Sequence, residues 1–292
     1  MERECCNGKL AGTGVNNGII MENHSKKIPY DAFVFTIGAE KKKESDRFLS
    51  ESVLAMQISG QLTLETNIEK MVIKSGDILL VRKHQFVKVT KTPIDKESQK
   101  AILLTLNEDI LRNFALENQM DTAEKYHGPS NILIPENDFL KGFFNSLIPY
   151  TQNLKNVYTQ LSTTKVKEAV QLLLLIKPEL KNFLFDFSEP HKIDLEKFML
   201  SNYKFNVPIE SFAKLTSRSL AGFKRDFQKN FGVPPRQWLQ MKRLEEAYYQ
   251  IEKHNKKPSS LYLELGFESL SHFSYAFKKQ FGYAPTELTK RK

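Results

Sequence analysis

The sequence predicts an α+β multidomain chain: a strand-rich N-terminal domain, a helical segment, and an all-α C-terminal domain built twice from one unit. Three observations carry this. Short apolar runs separated by turn residues crowd between about residues 28 and 106. Helical periodicity replaces them after Leu106. The last hundred residues repeat themselves at an offset of fifty.

Residues 1–27 are Gly- and Asn-rich, lack the apolar core of a signal peptide, and are expected to form a flexible tail. Cys5 and Cys6 are adjacent, so they cannot staple a fold; they are expected as reduced thiols in the cytoplasm. No run of eighteen apolar residues offers a membrane-spanning helix. Strands are predicted at Phe33–Ile37, Val53–Ile58, Leu62–Leu64, Met71–Ile73, Ile78–Val81, Phe86–Val89 and Ala101–Leu106. Gly60-Gln61 and Ser75-Gly76-Asp77 supply turns. Seven short, closely spaced strands imply a sandwich or small barrel over residues 28–106. Lys41–Lys43 reads as a loop or a charged guard on a sheet edge.

Residues 107–186 form a helical connector. Asn107 caps a predicted helix from Glu108 to about Gln119. Leu140, Phe143, Phe144, Leu147 and Ile148 recur at helical spacing after Asp138. So do Val166, Ala169, Val170, Leu173, Leu174 and Ile176, until Pro178 stops the helix. These stripes are expected to pack on the sheet or on a second copy, as a homodimer seam. Phe187–His191 is the expected linker into the last domain, residues 187–292.

Within that domain Pro208 matches Pro258, Leu215 matches Leu265, and Ser219-Leu220 matches Ser269-Leu270. Phe223, Phe227, Phe231, Gly232 and Pro235 match Phe273, Phe277, Phe281, Gly282 and Pro285. Each copy reads as Pro at a helix start, a short helix, a tight turn, and a longer helix closed by Gly. The short helices are Ile209–Leu215 and about Ser259–Leu265; the longer ones are Ser219–Phe231 and Ser269–Phe281. This is the helix-turn-helix plan. Between the copies a helix from Pro234 to His254 carries a predicted buried stripe of Trp238, Met241, Leu244, Ala247, Tyr248 and Ile251.

On the longer helices Leu220, Phe223, Phe227 and Phe231 share one face, which is core. The opposite face carries Ala221, Arg225, Gln228 and Lys229, with Lys224 at the flank. In the second copy it carries Ser271, Tyr275, Lys278 and Lys279, with Ser274 at the flank. Small residues there admit close approach to base edges, and Arg and Lys donate to guanine and phosphate. The charge agrees. The chain's net charge is +9, and residues 191–292 hold 19 Lys and Arg against 10 Asp and Glu, whereas the rest balances at 24 and 24. Segregated basic charge is the footprint expected of a polyanion partner.

These residues resemble the AraC/XylS family of bacterial transcription regulators. The resemblance lies in Val207–Leu215, Phe223–Phe227, Leu263–Phe273 and the stretch Phe277–Gly282 with Pro285, and it covers about the last hundred residues. It implies a sequence-specific transcription factor, an activator, that contacts promoter DNA and RNA polymerase. By the same resemblance the first longer helix reads bases through Ala221, Lys224 and Arg225, and the second through Leu270, Ser271 and Tyr275. Two positions depart from the family pattern. Residue 221 is Ala where a large reader is common, and residue 275 is Tyr where many members carry Arg. The second unit is therefore expected to contribute phosphate grip and groove shape more than base discrimination. Ser75–Val81 looks like the Gly-Asp turn entering a cupin strand. That implies a cupin-like β-barrel for sensing a small molecule or protein partner and for dimerisation.

An enzyme is not expected. A metal cupin needs clustered His and Glu, but His84 stands alone among the predicted strands, and no Gly-rich phosphate loop, G-x-S-x-G or CxxC motif occurs. No cofactor or metal is therefore expected. A cupin-like enzyme or sugar-binding module with an incidental basic tail is the alternative from another class. A general architectural DNA binder is the third, and equal affinity for random DNA would mark it.

Overall fold

The computed structural model describes residues 33–37, 42–94, 98–122, 124–151, 159–188 and 193–290. The expected tail, Cys5 and Cys6, and most of the expected linker lie outside the described residues. Nine strands and eleven helices are assigned among them.

Eight strands come first: β1 (Phe33–Ile37), β2 (Lys43–Leu49), β3 (Ser52–Ser59), β4 (Gln61–Glu65), β5 (Lys70–Ile73), β6 (Ile78–Val81), β7 (Gln85–Thr92) and β8 (Lys100–Leu106). β9 (Asn131–Ile134) follows a helix. They form two antiparallel sheets, ordered β1-β8-β3-β6-β9 and β2-β7-β4-β5. The domain is thus β-rich as expected, but the strands do not close into a barrel: among the described residues no ladder joins the two sheets. Two strands were not foreseen. β2 reads KESDRFL, too charged to register as a strand, and it takes in Lys43; because β2 is an edge strand, the edge-guard reading fits at that residue and the loop reading does not. The place of β2 is fixed by pairing along all of its length with β7.

The strand alternation explains the layers, because successive side chains point to opposite faces. On β6, Ile78 and Leu80 join a core with the helices, while Leu79 and Val81 join a smaller core against the other sheet. The helices are α1 (Glu108–Glu117), α2 (Asp138–Thr151), α3 (Thr159–Ile176) and α4 (Leu180–Phe185). Asn107 caps α1 by accepting from the backbone N–H of Asp109 and Ile110 at 3.0 and 3.3 Å. The stripes of α2 and α3 pack on the five-stranded sheet: Leu140, Phe143, Phe144, Leu147, Val166, Ala169, Val170 and Leu173 are all buried there. Leu116, Phe139 and Leu175 remain exposed on the outer side.

The C-terminal domain contains α5 (Leu195–Asn202), α6 (Ile209–Leu215), α7 (Leu220–Phe231), α8 (Pro235–His254), α9 (Pro258–Glu264), α10 (Leu270–Phe281) and α11 (Pro285–Lys290). It has two apolar cores. The first gathers Phe205, Phe212, Phe223, Phe227, Trp238 and Leu239. The second gathers Leu244, Ala247, Ile251, Leu261, Phe273 and Phe277. α8 supplies both, its first turns to one and its later turns to the other. The predicted stripe on α8 needs one correction. Met241 is 37% exposed, and Leu239 is buried in its stead. The buried face turns as the helix passes from one core to the next, and Met241 falls between them.

Candidate nucleic-acid interface

Each longer helix is set by local chemistry. Ser219 caps α7, its hydroxyl accepting the Gly222 N–H at 3.1 Å, and Ser269 caps α10 by accepting the His272 N–H at 3.1 Å. Gly232 and Gly282 close the two helices in the left-handed region, at φ 72° and 86°. Inward, Phe223 and Phe227 are fully buried, and Phe227 stacks on Phe231 at 4.2 Å and meets Trp238 edge-on at 5.7 Å. The second unit repeats this with Phe273, Phe277 and Phe281, the last two rings lying 4.6 Å apart. Burying four such rings completely contributes about 1.5–3 kcal/mol apiece, which holds the opposite faces in place.

Those opposite faces are open. Ala221, Lys224, Arg225, Gln228 and Lys229 are exposed on α7. Leu270, Ser271, Tyr275, Lys278 and Lys279 are exposed on α10, with Ser274 half-buried at the flank and Tyr275 70% exposed. Gln228 donates to the Gly232 carbonyl at 2.7 Å, so it also serves the helix end. Neither helix has an acidic residue in its first turn, and α10 has none at all. The lone acid on α7, Asp226, accepts from Arg218 Nε at 3.0 Å. Arg218, whose side chain is nearly buried, also donates to the Thr216 carbonyl at 2.8 Å. It therefore ties turn to helix and offsets the one negative charge there.

The two turns differ. The first runs from Thr216 to the Ser219 cap and reaches a positive φ of 52° at Ser217. The second runs from Leu265 to the Ser269 cap and places Gly266 at φ 76°. The second turn is thus one residue longer, and α9 begins and ends one position earlier than the fifty-residue offset predicts. Sequence reasoning missed Arg236. It is exposed in the first turn of α8 and shares a depression of about 420 Å³ with Glu210, Lys224 and Gln228. The signal available was a basic residue just past the Gly-Val-Pro-Pro turn that ends the first unit.

Comparison with known proteins finds two matching families. The family described as "Helix-turn-helix domain" matches residues 212–291, and that described as "ExsA N-terminal regulatory domain" matches residues 52–186. The chain is 24% identical over 248 residues to the HTH-type transcriptional regulator ExsA of Pseudomonas aeruginosa, covering 82% of this chain and 86% of that protein. It is 23% identical over 261 residues to the virulence regulon transcriptional activator VirF of Yersinia enterocolitica, covering 82% and 90%. Among solved structures, apo ToxT from Vibrio cholerae aligns over 89% of this chain and 98% of that one, with 14% identity and a TM-score of 0.45.

Proposed function

We propose that the chain is a DNA-binding transcription regulator of the AraC/XylS type with an N-terminal regulatory domain, and that α7 and α10 enter successive major grooves of promoter DNA. The observation that carries this is the duplication. Two Ser-capped, Gly-closed helices each bury a Phe stripe and expose a basic face. They flank α8, whose twenty residues span about 30 Å at 1.5 Å per residue. One turn of B-DNA is about 34 Å. One polypeptide thereby does what a dimer of single helix-turn-helix repressors does.

In this reading Arg225 and Lys224 donate to base edges from α7, with Ala221 letting the helix sit deep. Gln228 and Lys229 hold the backbone beside them. Leu270, Ser271, Ser274 and Tyr275 fit the second groove by shape and stacking, and Lys278 and Lys279 neutralise phosphates. The regulator works as an activator in the cytoplasm, with RNA polymerase as its partner at the promoter. The exposed apolar side of the connector helices, at Leu116, Phe139 and Leu175, is the homodimer surface. A small-molecule or protein effector acts on the sheet domain. The chain divides at residues 1–27, 28–106, 107–186 and 187–292, with β9 reaching back from the third segment to complete the sheet of the second.

The test is selection of duplexes from a random-sequence pool by the full-length chain at fixed salt, followed by footprinting. Two protected stretches one turn apart on one face of the DNA are expected. A single stretch, or uniform affinity for random duplexes, would replace this reading with that of an architectural binder.

A further inference from the structure

The two reading units are tied to the N-terminal sheets in different ways. Phe86 of β7 is buried inside the first unit's core, against Phe198, Phe205 and Phe212, and Phe48 of β2 packs beside it. Among the described residues no sheet side chain enters the second unit's core. Instead a groove of about 640 Å³ lies between the second unit and the four-stranded sheet, lined by Lys42 and Lys88 on one side and by Lys256 and Glu264 on the other. The first unit is thus anchored to the sheet by apolar packing. The second faces it across open space.

Beside α8, a polar knot around Arg243 lies between them. Its guanidinium donates to the Phe205 carbonyl at 3.1 Å and to Asn206 Oδ1 at 3.3 Å, both in the segment leading into α6. The same group presses on the turn of the second unit. A Cβ built on Gly266 would lie 3.0 Å from an Arg243 nitrogen and 2.8 Å from the Asn206 side chain, so only glycine fits there. From the sheet, Asp46 of β2 accepts the Asn206 backbone N–H at 2.8 Å. Its other carboxylate oxygen and the Nε of Arg243 are both shut off from solvent with no hydrogen-bond partner. Burial disfavours the charge on Arg243, and the Asp46 carboxylate nearby favours it. One sheet residue therefore holds the first unit's entry segment, and that segment, through Asn206 and the arginine bonded to it, closes on the second unit's turn.

We infer that Asp46 and Arg243 are positioning residues that set the angle between the two reading units, and so the spacing of DNA sites the protein accepts. This rests on the two-groove reading above. Asp46 holds Asn206 and attracts Arg243, and Arg243 in turn fills the space beside Gly266. Removing either loosens Asn206, which both of them hold, and frees the second unit to move across the groove. The state of the sheet domain then reaches DNA through Asp46, because β2 carries it.

The experiment measures the angle first and the DNA second. Spin labels at Lys214→Cys and Glu268→Cys, in a full-length chain with Cys5→Ser and Cys6→Ser, report the distance between the units without DNA. A narrow distribution is expected with Asp46 and Arg243 intact. Asp46→Ala and Arg243→Ala should each broaden it, and the double substitution should broaden it no further. Asp46→Asn, which keeps an acceptor and loses the charge, should lie between and guards against misfolding of the alanine variants. Wild-type-selected duplexes with one base pair inserted between the two contacts should bind the parent about tenfold worse. They should bind Asp46→Ala with most of that penalty gone. Unchanged distances, or broadening that adds in the double variant, would overturn the inference. If the pool yields no preferred sequence, the two-groove reading fails, and the label distances still decide the role of these two residues.

Discussion

The Phe86 ring, carried by a strand of the sheet domain, meets the Phe212 ring of the first helix-turn-helix unit edge-on, with centroids 4.9 Å apart. A side chain of one domain is thus a core residue of another. Phe86→Ala is expected to cost about 3–5 kcal/mol, since Phe86 is buried against Phe198, Phe205 and Phe212 of the first unit. Denaturant unfolding followed by tryptophan emission, which reports Trp238, and by far-ultraviolet circular dichroism should separate into two transitions in the variant. Coincident transitions would mean that the domains are joined elsewhere.

Arg225 and the lysines are expected to fail differently. Arg225→Ala should cost about 1–3 kcal/mol and relax preference at one base pair. Lys229→Ala or Lys279→Ala should weaken binding on every sequence and reduce the salt slope by about one. Binding isotherms on matched and mismatched duplexes across a salt series separate the two patterns.

Arg218 does not face outward, yet its loss should weaken DNA binding. Arg218→Ala breaks the pair with Asp226 and removes one positive charge that offsets this carboxylate on α7. Adding Asp226→Asn should restore affinity without restoring stability. If the double variant binds no better than Arg218→Ala, charge compensation is not the role of the pair.

Glu51 supplies a pH dependence. Burial, aided by the neighbouring Glu108 carboxylate, pushes its carboxyl up to about 7, although its oxygen accepts the Glu108 backbone N–H at 3.1 Å. Because the folded value lies above the unfolded one, the folded state binds the extra proton. This group's contribution is therefore fully present below the unfolded value near 4.5 and is lost as pH rises through about 7. Glu51→Gln should raise the melting temperature at pH 8, by about 1–2 kcal/mol of stability after allowing for solvent screening. It should change little at pH 4.5. An equal effect at both pH values would assign the gain to packing.

Much of the C-terminal domain was legible because its signals are local. Prolines near helix starts, Ser caps, Gly closures and a Phe every three or four residues all speak within one turn, and the fifty-residue repeat multiplies them. The sheet domain was legible in its apolar strands and opaque in β2 and β9. In β2 only Phe48 and Leu49 are large and apolar; its position comes from β7, far along the chain. β9 is four residues long and lies between helices, where helical periodicity dominates. The short helices α4 and α5 were unforeseen for the same reason, since six and eight residues give too little periodicity. Strand number left sandwich and barrel open and the cupin resemblance implied the barrel; the assigned strands pair as two sheets, a choice made by long-range pairing. The exposed faces of α7 and α10 followed from the Phe stripes. Arg243 had no outward sign, because its importance comes from what surrounds it.

A helix that serves two cores is also a ruler. Deleting one residue from α8 between Leu239 and Leu244 would turn everything after it by about 100° and draw it in by about 1.5 Å, swinging α10 off its groove. Changes of chain length in this protein should therefore accumulate in the turns and be purged from the middle of α8.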